Sequence, residues 1–86
     1  MTSQELFQQG VNCRATGNWT MAADFIRKAA SMEHAEAQFN YALMCMRGDG
    51  VAKSESEGLH WMKKSADNGF KHAKKNVAIL RQFGRI

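Results

Sequence analysis

Small residues recur at fixed places between Ala35 and Ala73, and a loop bounded by glycine divides this stretch into two halves of helix length. The loop is Gly48-Asp49-Gly50-Val51, and the small residues are Ala37, Ala42, Gly58, Ala66 and Ala73. Helix axes pack about 8–10 Å apart, and only small side chains permit the near end of that range. The pattern therefore predicts a hairpin of two closely packed helices. One such hairpin cannot bury both of its faces, so it requires further hairpins stacked against it.

The remainder of the chain supplies these further helices, since apolar side chains recur with a 3.6-residue period along most of its length. Proline is absent, which suits helices joined by short turns. Two capping boxes, Thr2-x-x-Glu5 and Ser54-x-x-Glu57, mark helix starts, and Asn18 or Thr20 can cap the second helix. The predicted helices run over Ser3–Ala15, Trp19–Met32, Ala35–Arg47, Ser54 to the stop at Asn68-Gly69, and Lys71–Phe83.

The third predicted helix is apolar over most of its circumference, so we expect it to be the most buried. Its predicted inner residues are Gln38, Phe39, Ala42, Leu43, Cys45 and Met46. The fifth helix is expected to turn four residues inward, namely Ala73, Val77, Leu80 and Phe83. Large side chains are expected to fill the gaps between hairpins, and these are Phe7, Phe25, Phe39 and Trp61.

The second hairpin, with its GDGV loop and its WMKKSADNG ending, resembles a Sel1-like repeat, a relative of the tetratricopeptide repeat. The first hairpin, LFQQGVNCRATGNWTMAADFIRKAA, resembles a plain tetratricopeptide repeat. One departure from the Sel1-like pattern is Gly58, which stands where family members commonly carry alanine. The resemblance implies an all-α fold, a short α-solenoid of five antiparallel helices. It implies one domain over residues 1–86, with unit one at 3–34, unit two at 35–70 and a partial third unit at 71–84.

Such hairpins stack into solenoids that bind other proteins, and the first helix of each unit lines the concave face. The resemblance therefore implies a non-enzymatic protein-binding module, of the kind represented by a bacterial inhibitor, immunity or adaptor protein. Apolar residues beside polar ones suit recognition of a peptide or helix in a groove. The predicted partner-binding residues are Phe7, Val11, Arg14, Glu36, Phe39, Asn40, Leu43, Arg47, Lys75 and Ile79, with Met46 and Gln82 on the same faces.

The formal net charge of +4 is unevenly distributed, which leaves alternative partners open. Residues 1–58 carry five basic and seven acidic side chains, whereas residues 59–86 carry seven basic and one acidic. The basic end suits an acidic protein surface or a nucleic-acid backbone, and a solvated face is the simpler interpretation. A further alternative is self-association, since no second helix covers the outer side of the fifth helix. Ile79 and Phe83 would then pair across a dimer axis.

No residue pattern in the chain predicts catalysis, a metal or a cofactor. Cys13 and Cys45 fall on equivalent positions of neighbouring helices about 8–10 Å apart, whereas a disulfide needs Cα atoms about 4.4–6.8 Å apart, so free thiols are expected. The three histidines lack metal-site spacing, and the GDG loop lacks the ligands of a P-loop or an EF-hand. With no visible signal peptide and no apolar stretch of membrane-spanning length, a cytoplasmic location is expected.

Overall fold

The computed structural model describes residues 1–86 and contains five α-helices and no strands, which confirms the prediction of a short all-α solenoid. Each helix packs against the next one in the chain, and the molecule measures 35 × 24 × 17 Å. The predicted helix bounds differ from the observed ones by one residue at the ends of α2 and α5 and at the start of α4. The helices are α1 (Ser3–Ala15), α2 (Trp19–Ser31), α3 (Ala35–Arg47), α4 (Glu55–Asp67) and α5 (Lys71–Gln82).

Side-chain caps explain why four of these helices begin where they do. Thr2 and Glu5 form the complete predicted capping box, each bonding to the other's backbone N–H. Asn18, rather than Thr20, caps α2 by accepting from the Met21 N–H. Ser54 caps α4, and His34 caps α3 by accepting from the Ala37 N–H at 3.1 Å. The histidine cap was not expected from the sequence.

The core lies mainly between α1, α2 and α3, and a smaller cluster of Ala42, Met62, Ala73 and Val77 joins α3, α4 and α5. The prediction that α3 is the most buried helix is confirmed, since six of its residues are buried. Three of those six were not among the predicted inner residues, namely Ala37, Tyr41 and Met44. Of the predicted ones, Phe39, Leu43 and Met46 are only partly buried.

Phe83 corrects one prediction about α5. Its side chain is 73% exposed rather than turned inward. The helix ends at Gln82, and Phe83 serves as its cap residue before the chain reverses at Gly84, which has φ of +70°. The inward stripe of α5 therefore stops one turn earlier than the periodicity predicts, with Ala73 and Val77 buried and Leu80 partly buried.

Each hairpin contains one close helix contact made by a buried glycine. In the first hairpin Gly10 of α1 lies against Ile26, and in the second Gly58 of α4 lies against Met46. A Cβ atom at either glycine would come within 2.4 Å of Cγ1 of Ile26 or Cγ of Met46, respectively. The same Cβ atom would also lie close to a backbone carbonyl oxygen of the facing helix, at 3.2 Å for Gly10 and 3.1 Å for Gly58. The predicted role of small residues in bringing the helices together thus has a specific contact in each unit.

The two hairpins are joined by the side chain of Gln38, which is fully buried. Its Nε2 donates to the Ala30 carbonyl at 3.0 Å, and its Oε1 accepts from Nδ2 of Asn68 at 2.9 Å. Asn68 also donates to Glu33, whose carboxylate pairs with Lys64 at 3.3 Å. The Asn68 hydrogen bond, followed by the Lys64 charge, lowers the pKa of Glu33. One connected network therefore ties the end of α2 to the start of α3 and the end of α4.

We expect Gly10→Ala to destabilise the fold more than Gly58→Ala. Alanine gains about 0.5–1 kcal/mol of helix propensity at both sites, but overpacking a core costs about 1–3 kcal/mol. Ile26 is stiff and fully buried, whereas the flexible Met46 can move toward solvent. The free energy of unfolding, measured in urea, should fall by about 1–2 kcal/mol for Gly10→Ala and stay within about 1 kcal/mol of wild type for Gly58→Ala. The reverse order would contradict this assignment.

We expect Gln38→Leu to lower the free energy of unfolding by about 1–2 kcal/mol, because two buried hydrogen bonds are lost while the side-chain volume is kept. The matched control is Gln9→Leu, the same substitution at an exposed glutamine that makes no side-chain hydrogen bond. The control should remain within about 0.5 kcal/mol of wild type. A Gln38→Leu protein as stable as the control would show that the amide does not hold the hairpins together.

Candidate protein-binding surface

The first helices of the three units form one surface, here called the α1–α3–α5 surface. Nη1 of Arg14 donates to Oδ1 of Asn40 at 2.9 Å, which joins α1 to α3 across 26 residues of sequence. Nδ2 of Asn40 donates to the Glu36 carbonyl at 2.9 Å, so its amide is held from both ends. The structure therefore brings together three of the predicted residues. Arg14 and Asn40 are partly buried, and the side chain of Glu36 is exposed.

Phe7 does not belong to this surface, which corrects the prediction that it contacts a partner. It is only 6% exposed and stacks on the His34 ring, with the ring centroids 5.0 Å apart. Nε2 of His34 in turn lies 2.9 Å from Oε1 of Gln4. Because His34 Nδ1 accepts from a backbone N–H, Nε2 is the nitrogen that donates to Gln4. Phe7 therefore fills the gap between hairpins, the other role predicted for it, and Val11 packs partly buried against the same cluster.

Phe39 is half-buried at the junction of α3 and α5. Its ring centroid lies 5.1 Å from that of Phe70 and 6.1 Å from that of His72. Phe70 is the residue immediately before α5, and its side chain makes no cap. Its contact with Phe39 therefore fixes the start of α5 against α3. Phe39 thus presents only part of its ring at the surface.

A shallow apolar cavity of about 200 Å³ opens beside Phe39, between α3 and α5. It contains two of the predicted residues, Leu43 and Ile79, and Ile79 is 44% exposed. The other lining residues are Met46, which was expected on the same face, and Met62, Asn76 and Leu80, which were not predicted for this surface. The sequence held a signal for one of them, because Asn76 falls on Asn40 when the units are aligned with a 36-residue offset.

Two predicted basic residues border this surface without partners in the chain. Arg47, at the end of α3, and Lys75, on α5, are exposed and take part in no ion pair. No contact brings either of them to the Arg14–Asn40 pair. They therefore remain available as separate charges at the α3 and α5 parts of the surface.

The thiols and other titratable groups provide contacts rather than reactive groups. Cys13 and Cys45 are both free, and burial raises the pKa of the Cys45 thiol. Burial, followed by the neighbouring Cys45, raises the pKa of Tyr41 to about 12. A protonated, buried thiol is a poor nucleophile. No group of three or more His, Cys, Asp and Glu side chains is placed to hold a metal ion, and no helix has the length and apolar character needed to cross a membrane.

The glycine-bounded loop acts as a turn that also contacts the first hairpin. Gly48 ends α3 in the left-handed conformation, with φ of +78°. Gly50 lies so close to the start of α2 that a Cβ atom there would be 2.2 Å from the Trp19 carbonyl oxygen. The loop thus contributes to the stacking of the two units and takes no part in the α1–α3–α5 surface.

Comparison with known proteins identifies the central part of this architecture. Residues 35–70, which comprise α3, the glycine-bounded loop, α4 and the turn into α5, match the family model of the Sel1 repeat. No curated protein matches the chain. Sel1 repeats are non-enzymatic and mediate protein–protein interaction. The predicted resemblance is therefore confirmed, and α3 and α4 of this chain form a Sel1 repeat.

Proposed function

We propose that the chain is a non-enzymatic module that binds a protein partner through the α1–α3–α5 surface. The observation that carries this proposal is the open apolar cavity at Leu43 and Ile79, with the unpaired Arg47 and Lys75 on the same two helices. Such a combination supplies apolar area for affinity and separate charges for orientation. A peptide or an amphipathic helix of the partner would place an apolar side chain in the cavity.

The Arg14–Asn40 pair supports the same proposal at the other end of the surface. A guanidinium has five N–H donors, and the bond to Asn40 uses one of them. The remaining donors are held in position by that bond, which lowers the entropy lost when a carboxylate or carbonyl of the partner is bound. The exposed Glu36 adds an acidic group nearby and so favours a partner segment of mixed charge.

In this proposal the molecule is a dedicated binder, an inhibitor, immunity or adaptor protein of the bacterial cytoplasm. Its units would be residues 3–34 and 35–70, with a partial unit at 71–84.

Self-association is a second candidate, favoured by the exposure of two large side chains on one part of α5. Ile79 is 44% exposed and Phe83 is 73% exposed. Exposed apolar residues that lie together mark interaction sites, and a symmetric dimer is the commonest assembly. Light scattering of the wild type and of an Ile79→Ser/Phe83→Ser variant distinguishes the two candidates. A monomeric mass for both would exclude self-association.

We expect Ile79→Ser combined with Arg47→Ala to weaken partner binding at least about tenfold, because removal of a central contact typically costs 1–2 kcal/mol or more. The matched control combines Met21→Ser with Lys53→Ala, which removes an exposed apolar and an exposed basic side chain elsewhere. The partner is first captured from lysate of the source cells at low and high salt, with and without nuclease, and its Kd is then measured by calorimetry.

The control variant should bind as the wild type does. Equal losses in the two variants would place the binding site outside the α1–α3–α5 surface. Capture of nucleic acid alone, lost at high salt, would replace the protein-binding proposal with the nucleic-acid alternative, because phosphate contacts give a steep salt dependence.

A further inference from the structure

A second groove, unrelated to the α1–α3–α5 surface, lies where α4 meets α5. It has a volume of about 330 Å³ and is here called the α4–α5 groove. Two small side chains and one larger one form its apolar part, Ala66, Ala78 and Val77. The remaining lining residues are charged and comprise Lys63, Lys74, Arg81 and Asp67.

The repeat relates this groove to a position that is already occupied inside the molecule. The 36-residue offset places Lys74, Val77, Ala78 and Arg81 of α5 on Gln38, Tyr41, Ala42 and Cys45 of α3. Each of these α3 residues contacts α4 or its cap. Gln38 bonds to Asn68, and Tyr41 meets Trp61 edge to face with the ring centroids 5.6 Å apart. Gly58 approaches the Ala42 carbonyl, and the Cys45 carbonyl accepts from the Ser54 N–H at 2.8 Å.

The equivalent face of α5 is left uncovered, so the groove has the shape that accommodates a helix. Within the chain, α4 occupies this position over α3. Over α5 no helix of the described residues 1–86 occupies it. Val77 lies at the floor of the groove and is 5% exposed. The side chains of Ala66 and Ala78 are small enough for a helix to approach closely.

The chemistry of the face changes between the two positions. Where α3 offers the neutral Gln38 and Cys45 to α4, α5 offers Lys74 and Arg81. Lys63 of α4 adds a third cation, and none of the three forms an ion pair within the chain. Asp67 is the single acidic group in the lining. An occupant that matched α4 in shape would have to differ from it in charge.

We propose that the α4–α5 groove docks an acidic amphipathic helix of a partner protein. The helix lies as α4 lies over α3, with small side chains on Ala66 and Ala78 and carboxylates beside Lys74 and Arg81. Opposite charge across the contact determines which helix fits and in which direction, since like charges placed there are repelled. A second copy of this chain does not supply that helix, because its α4 is already packed against its own α3. Nucleic acid fits poorly, since the groove has no aromatic side chain for base stacking and Asp67 repels phosphate.

The test uses two helical peptides based on residues 54–69, the segment that fills the equivalent position over α3. The acidic probe carries Lys64→Glu and Asn68→Glu, because Asn68 contacts Gln38, the counterpart of Lys74. The basic probe carries Glu57→Lys and Asn68→Lys, because Glu57 lies near Cys45, the counterpart of Arg81. Both are held helical by a staple on the outward face, since isolated helices of this length are marginal in water. Binding is measured by fluorescence anisotropy.

We expect the acidic probe to bind the wild type at least about tenfold more tightly than the basic probe does. Lys74→Glu should weaken the acidic probe at least about tenfold and strengthen the basic one, a reversal that a misfolded variant would not produce. Lys53→Glu is the matched control, the same charge change at an exposed lysine that lines neither the groove nor the apolar cavity. It should alter either affinity by less than about threefold.

Three outcomes would overturn the proposal. The first is no binding of the acidic probe at about 1 mM, the weakest affinity class of interest. The second is an equal loss in Lys74→Glu and Lys53→Glu, which would indicate general attraction to the net positive charge of the chain. The third is full competition by a single-stranded oligonucleotide of the same net charge, which would assign the groove to nucleic acid.

Discussion

The packing of the second hairpin against the first depends on one buried amide, the side chain of Gln38. A polar group taken out of water is costly unless its hydrogen bonds are restored, and both ends of this amide are bonded, to Ala30 at the end of α2 and to Asn68 at the end of α4. These directional bonds hold the second hairpin at one angle against the first. Apolar packing alone would allow the hairpins to slide. With that angle held, α1 and α3 lie side by side, and Arg14 reaches Asn40.

The same repeat geometry carries different chemistry at its two successive positions. Over α3, the neutral Gln38 and Cys45 face α4, and the contact is closed and dry. Over α5, Lys74 and Arg81 stand in their places, so the groove stays open to water unless acidic groups arrive. Exposed cations keep this face solvated when nothing is bound there. An exposed cation without an ion pair inside the chain can be hydrated in the free protein and can bind an acidic group of a partner. The same residues of the α4–α5 groove can therefore serve both solvation and recognition.

Local signals in the sequence predicted the helices well, and long-range contacts account for the errors. Caps act over three or four residues, so Thr2, Asn18 and Ser54 mark helix starts correctly. Periodicity indicates where an apolar stripe lies but not how many neighbouring helices cover it. Phe7 was therefore predicted both to fill the gap between hairpins and to line the binding groove. The capping box predicted at Ser54 is only half formed for a local reason, since Glu57 accepts the Trp61 indole N–H at 3.2 Å instead of bonding back to the cap. The cavity at Leu43 needed the position of α5, which no local pattern contains.

Gly58 stands where alanine is usual, and the apolar cavity explains this difference. A Cβ atom there would meet Cγ of Met46 at 2.4 Å, so the glycine leaves room for this methionine to lie across the hairpin contact. Met46 is also one wall of the apolar cavity that contains Leu43 and Ile79. A methionine side chain displaced by alanine would therefore shift this wall of the cavity. Gly58 lowers the helix propensity of α4, but it preserves volume for Met46 beside the proposed binding surface. The residue that weakens the helix locally therefore helps to shape the site.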